Sequence, residues 1–169
     1  MSKKLVIVSN SGPLISLSKV NKFALLKKLY GELYISPHVY NEVVKKGQRR
    51  AGQKEVEKAV KDGWIKVEMP KNLLAVQSQE TMLSKGEAES IVLAQELKAN
   101  LALVDERKGR ISAELLGIRI TGTIGILINA KQKGEKIDLR KLIDELRTKG
   151  FRLDNRTYQK ILGEVKSST

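Results

Sequence analysis

Leu101-Ala-Leu-Val-Asp-Glu-Arg-Lys-Gly-Arg110 is a short apolar run that ends abruptly in an acid. The run Leu101 to Val104 has the length of a strand and no polar alternation, so both of its faces should be buried. Arg107 to Leu116 then reads as a helix, with Gly117 as its C-terminal stop. Upstream, Lys85-Gly-Glu-Ala-Glu-Ser-Ile-Val-Leu-Ala94 leads a helix over Glu87 to Leu97, whose Ala88, Ile91, Val92 and Leu97 share one side. Helix, fully buried strand and helix in succession are the unit of a parallel sheet covered on both faces. In such a sheet, ligands and chemistry collect at the carboxyl ends of the strands. Asp105 stands at one of those ends, where a carboxylate can hold a hard metal ion.

The rest of the chain repeats this alternation. Strands are expected over Leu5 to Val8, Leu33 to Ile35, Trp64 to Met69 and Ile118 to Ile120. Helices are expected to start at Pro13, and over Lys22 to Leu29, Ser36-Pro37 to Lys46, Gln53 to Lys61, Leu73 to Leu83, Ile124 to Lys133, Leu139 to Lys149 and Asn155 to Lys166. The fold class is therefore α/β, with a central parallel sheet and helices on both faces. No repeat, linker or low-complexity stretch divides it. One domain over 1–169 is expected, with C-terminal helices about 138–166 packed on it or extending it.

Composition narrows the partners. Among 169 residues, 41% are apolar and only 4% aromatic, so the core must be aliphatic. Lys and Arg number 32 against 19 Asp and Glu, a net charge of +13 that favours a polyanionic partner such as nucleic acid. So few aromatic residues make a base-stacking platform a poor expectation. The absence of Cys excludes disulfides, thiolate zinc sites and cysteine nucleophiles, and the lone His38 argues against a histidine-based triad. No apolar run reaches membrane-span length, and the basic start Met1-Ser-Lys-Lys leads into too short a run for a signal peptide. A cytoplasmic protein with no membrane partner is expected.

Four positions fall where a cleft at the strand ends would gather them. Asn10 follows the first strand, Glu42 lies in the helix after the second, Glu87 opens the helix before Leu101, and Asp105 ends that strand. Oxygen donors of this kind suit magnesium or manganese. Such an ion lowers the pKa of a bound water and neutralises charge on a phosphate. Acids alone would repel a phosphodiester, so a basic protein with an acidic cleft reads as a metal-dependent nuclease. Arg107, Lys108 and Arg110 are placed to contact phosphate, and a hydroxyl of the Thr121/Thr123 pair could bind a water or a phosphate.

Five segments together resemble the PIN-domain ribonucleases, and most closely a PIN-like branch once classed as a domain of unknown function and related to toxin nucleases. They are Val6-Ile-Val-Ser-Asn-Ser-Gly-Pro-Leu-Ile15, Ile35-Ser-Pro-His-Val-Tyr-Asn-Glu42, Gly86-Glu-Ala-Glu-Ser-Ile-Val-Leu-Ala94, Leu103-Val-Asp-Glu-Arg-Lys-Gly-Arg110 and Thr121-Gly-Thr-Ile-Gly-Ile-Leu127. The resemblance implies a parallel α/β/α sheet and a magnesium or manganese nuclease site. It also implies RNA as substrate and, as in many bacterial and archaeal relatives, a toxin paired with a small antitoxin protein. Pairing of two copies as a homodimer is a further expectation. Glu42, Glu87 and Asp105 match acids of the family site. Position 10 departs from the typical Asp: an Asn oxygen can still ligate, but it brings no charge. Glu89 and Glu106 add acidity outside the matched positions.

Each of these residues also has a plainer reading. Asn10 before Gly-Pro suits a turn or cap, and Glu42 a solvated helix face. Glu87 in a first turn complements the helix dipole, while Asp105 and the threonines can cap helices. Arg107, Lys108 and Arg110 can be a solvated face, His38 an exposed helix start and Trp64 a core anchor. The alternative function is accordingly a non-catalytic nucleic-acid-binding or protein-interaction module that keeps the fold. A DNA-directed nuclease is a second, because charge does not separate RNA from DNA.

Overall fold

Five three-residue or shorter strands make one parallel sheet: β1 (Ile7–Ser9), β2 (Leu33–Ile35), β3 (Ile65–Val67), β4 (Leu101–Leu103) and β5 (Ile120–Thr121). The computed structural model describes residues 3–167, so the ends of the expected 1–169 unit, at 1–2 and 168–169, lie outside the described residues. The strand order is β3-β2-β1-β4-β5. Val8 aligns with Tyr34 of β2 on one side and with Ala102 of β4 on the other. The chain winds outward from β1 in one direction through β2 and β3, then returns to β1's other side for β4 and β5. The β1/β4 boundary is therefore the topological switch point, where an open α/β sheet has its ligand crevice.

The helices are α1 (Ser11–Lys19), α2 (Ala24–Tyr30), α3 (Pro37–Tyr40), α4 (Gln53–Lys61), α5 (Leu73–Glu80), α6 (Lys85–Glu96), α7 (Arg107–Leu115), α8 (Thr123–Gln132), α9 (Leu139–Thr148) and α10 (Asn155–Ser167), with a π-helical turn over Asn41–Lys45. The two-residue period of the strands sorts them into layers. Ile7, Leu33, Ile35, Ile65 and Leu103 point to one face, where they meet Leu14 and Leu17 of α1, Val56 of α4 and Ile126 and Leu127 of α8. Val8, Ala102 and Val104 point to the other, against Leu93 and Ala94 of α6 and Ala113 of α7. The result is the expected three-layer α/β/α arrangement. Ile143 of α9 packs with Tyr158 and Leu162 of α10, a small cluster that holds the last two helices together.

Boundaries differ from expectation where a local contact intervenes. β1 starts at Ile7, not Leu5, because pairing with β4 starts at Ile7 and Leu5 is 50% exposed. α1 starts at Ser11, not Pro13, with Asn10 as its extended N-cap residue. β5 is Ile120–Thr121 rather than Ile118–Ile120. The helix expected from Pro37 to Lys46 is not uniform: after one α turn it widens into the π turn. No helix among the described residues is long and apolar enough to cross a membrane.

Candidate active site

Asn10 sits at the switch point because β1 ends there. Its N–H donates to Leu103 O of β4 at 3.0 Å, which extends the β1/β4 ladder by one bond. The residue is 5% exposed, and its side chain makes no cap hydrogen bond to α1. The turn reading therefore covers its backbone and leaves its amide oxygen free of that duty. One residue on, Ser11 Oγ donates to Glu42 Oε1 at 3.2 Å. Two residues on, Gly12 lies so close to Asp105 that a Cβ there would stand 3.1 Å from Oδ2. Glu42 and Asp105 thus reach adjacent residues of the first turn of α1, just past Asn10.

The π turn aims Glu42. Such turns are rare and recur at functional sites. Here Gly47 closes it: a Cβ at that position would stand 2.2 Å from the carbonyl oxygen of Val43. That contact is with backbone, so no side chain can yield to relieve it. Gly47→Ala should therefore cost about 2 kcal/mol or more in stability and pull Glu42 from its place. A thermal melt equal to that of the unaltered protein would show that this contact does not hold the turn.

Asp105 is fixed from the opposite side. Its Oδ1 accepts from Thr123 N and its Oδ2 from Thr123 Oγ1, both at 2.7 Å. Thr123 is fully buried at the start of α8. Asp105 therefore caps α8, not the α7 that follows it in sequence; the N-cap of α7 is Glu106, whose side chain makes no cap bond. Gly122 keeps the approach open, since a Cβ there would stand 2.7 Å from Asp105 Oδ1. Burial pushes the Asp105 carboxyl above the usual carboxylate range, and the two Thr123 bonds and the Arg110 charge partly pull it back. A folded pKa raised above the unfolded one contributes stability at low pH that is lost as pH rises through the folded value. The metal-free protein should thus lose stability relative to Asp105→Asn between acid and neutral pH. Urea titrations of both proteins across that range check this; a constant difference would contradict it.

Two glutamates of α6 take different places. Glu87 Oε2 accepts from Ser84 N at 3.0 Å while Ser84 Oγ accepts from Glu87 N at 3.3 Å, a complete capping box. The Glu87 side chain lies beside α7, its Cγ 4.0 Å from where a Gly109 Cβ would stand. Glu89 is 3% exposed and its Oε2 accepts from His38 N at 3.3 Å. It shares a helix face with Gly86, three residues before it. A Cβ on Gly86 would lie 3.3 Å from Glu42 Oε2 and 3.2 Å from His38 Cδ2. Glu89, rather than Glu87, is thus on the face of α6 that meets the Glu42 turn. The sequence does not separate the two, because Glu87 and Glu89 lie in the same small and apolar stretch from Gly86 to Ala94.

Among the described residues, no three His, Cys, Asp or Glu side chains stand close enough together to hold a metal ion. Asn10 follows β1 and Asp105 follows β4 at the switch point, while Glu42 reaches the first turn of α1 through Ser11. Arg107, Lys108 and Arg110 are exposed at the start of α7. Arg107 borders a cavity of about 560 Å³ that also reaches Asp105, and Arg110 is close enough to Asp105 to stabilise its charge. Thr123 is an internal partner of Asp105 and not a surface hydroxyl.

An all-parallel β3-β2-β1-β4-β5 sheet defines an open α/β domain, a class whose ligand crevice lies at the carboxyl edge of the strands. The chain belongs to the PIN domain family: the profile described as PIN domain (DUF3368) matches residues 6–167. Among solved structures it is similar to a PilT N-terminus domain protein of the hyperthermophilic archaeon Sulfolobus solfataricus. The identity is 19% and the TM-score 0.52, over 79% of this chain and 100% of that one. It is also similar to VapC20 of Mycobacterium tuberculosis, a toxin that cleaves the sarcin–ricin loop. There the identity is 17% and the TM-score 0.47, over 63% of this chain and 94% of that one. No curated protein sequence matches the chain.

Proposed function

We propose that this protein is a metal-dependent ribonuclease that hydrolyses RNA phosphodiesters in the cytoplasm, and that it is the toxin of a toxin–antitoxin pair. The observation that carries the reading is Asp105, held by two bonds from Thr123 at the switch point beside Arg107 and Arg110. Membership of the PIN family supports it. The donors suit magnesium or manganese: Asn10, Glu42 and Asp105 offer only oxygen, and magnesium keeps most of its waters when one or two carboxylates hold it. When bound, such an ion neutralises phosphate charge and makes water more acidic. Thr123 holds the Asp105 carboxylate at one angle, and Ser11 does the same for Glu42. Arg107, Lys108 and Arg110 hold phosphate.

Glu87 was expected among the acids, and its capping box favours Glu89 in its stead. Paired variants decide between them. Glu89→Gln should lower cleavage of a labelled RNA by about tenfold or more, in the range of lost supporting partners at a metal site. Glu87→Gln should leave cleavage near its starting level and lower stability by up to about 1 kcal/mol through the weakened box. The reverse outcome would return the role to Glu87. Calorimetric titration with manganese, together with the RNA assay, tests the function as a whole. A small antitoxin protein and a second copy of the chain are the protein partners we propose.

A second reading is the non-catalytic module, and one observation favours it: the residue that follows β1 is Asn10, which brings an amide and no charge. RNA binding without cleavage in manganese would select it. Under either reading RNA binding should weaken with salt, because contacts to phosphate release counterions. The slope of log K on log salt should be about −0.7 for each phosphate neutralised on a single strand. A flat titration would remove RNA as the partner.

A further inference from the structure

α9 ends in a turn whose geometry serves more than termination. Gly150 has φ 95°, its N–H donates to Arg147 O at 3.1 Å, and the Phe151 N–H donates to Leu146 O at 2.9 Å. This is a Schellman motif, which needs glycine at the left-handed position and reverses the chain sharply. Two reciprocal bonds fasten the turn to the end of α1: Lys19 Nζ donates to Lys149 O at 3.1 Å, and Lys149 Nζ to Lys19 O at 2.7 Å. Phe151 then packs against the main core beside α1. Arg152, the next residue, is therefore delivered to a fixed place. That place is the wall of the cavity of about 560 Å³ that Gly12, Asp105 and Arg107 also line.

We propose that this groove carries the backbone of single-stranded RNA to one side of the reacting phosphodiester, with Arg107 and Arg152 on its phosphates. The identity of the occupant rests on the ribonuclease reading; the groove itself does not. Both guanidinium groups are exposed, and neither is in an ion pair among the described residues. With Lys19 they outnumber the acids of the groove, Asp105 and Glu106. Guanidinium groups suit phosphate because their planar donors can engage two oxygens at once. Asp105 is half-buried at the cavity, and a flexible single strand can bend to bring a phosphodiester to it.

The test is binding of a labelled single-stranded RNA of about ten nucleotides, followed by anisotropy in EDTA so that no cleavage intervenes. The full chain is compared with Arg107→Ala/Arg152→Ala and with Lys54→Ala/Lys61→Ala, which removes equal charge from exposed positions of α4. The groove variant should bind about tenfold or more weakly, with a salt slope shallower by about 1.4, the value for two phosphates. The α4 variant should bind like the unaltered chain. Equal binding by all three proteins, equal losses in both variants, or no binding by the unaltered chain at low salt would each overturn the proposal. A manganese cleavage assay of the unaltered chain is run alongside. If the groove variant alone loses binding while the unaltered chain cuts nothing, the groove stands and the ribonuclease reading falls.

Discussion

Asp105→Asn should remove RNA cleavage almost completely, by about 10²–10³-fold or more, while the protein stays folded. The loss follows from position: Asp105 is the carboxylate at the β1/β4 switch point, and charge stabilisation at a reacting phosphate is usually the largest catalytic contribution. The preserved fold follows from the bonds. An Asn at 105 still offers an oxygen to Thr123 N, now held at 2.7 Å by Oδ1. The charge assistance that is lost and the burial penalty that is relieved oppose each other, so stability should change by no more than about 1 kcal/mol. Cleavage of a labelled RNA in manganese and a urea melt measure the two quantities. If the variant cuts RNA as fast as the unaltered protein, Asp105 is not part of the site. If it fails to fold, Asp105 is chiefly the cap of α8.

Asn10→Asp should act in the opposite direction, raising manganese affinity by about tenfold and raising or creating cleavage. At an effective dielectric constant of about 20, a unit charge pair at 4 Å interacts by roughly 4 kcal/mol, and a divalent ion doubles that. Most of this gain is offset, because the new carboxylate is buried and must be desolvated. What remains should still exceed the contribution of a neutral amide oxygen. Manganese calorimetry on both proteins reads the change directly. Unaltered affinity, with both proteins inert on RNA, would favour the non-catalytic module.

The layers of the fold were legible in particular residues. Leu101 to Val104 lacks polar alternation because both faces of β4 are covered, and Gln53–Lys61 forms a helix with the bounds that its pattern predicts. The π turn was not legible, because Pro37 to Lys46 has ordinary helical spacing. Gly47 leaves room for it, since a Cβ there would meet the Val43 carbonyl, but a glycine after a helical run looks the same in the sequence whichever turn precedes it. The choice between Glu87 and Glu89 was hidden for a related reason. Two acids two residues apart point in directions about 200° apart on a helix, and the one that faces inward depends on how α6 is rotated against the Glu42 turn. The strong local signal at Glu87 was the capping box, which is local chemistry and forms as such.

By itself, then, the sequence determined the succession of strands and helices, the aliphatic core, the cationic surface and the place of Asp105 just after a strand. Those depend on periodicity, composition and neighbours a few residues apart. Tertiary structure alone decided the partners that bring distant segments together. Thr123 reaches Asp105 across 18 residues and Ser11 reaches Glu42 across 31. The Gly150 turn reaches α1 through Lys19 and Lys149, 130 residues apart. Contacts of that span depend on the parallel order β3-β2-β1-β4-β5, which places residues far apart in the chain side by side.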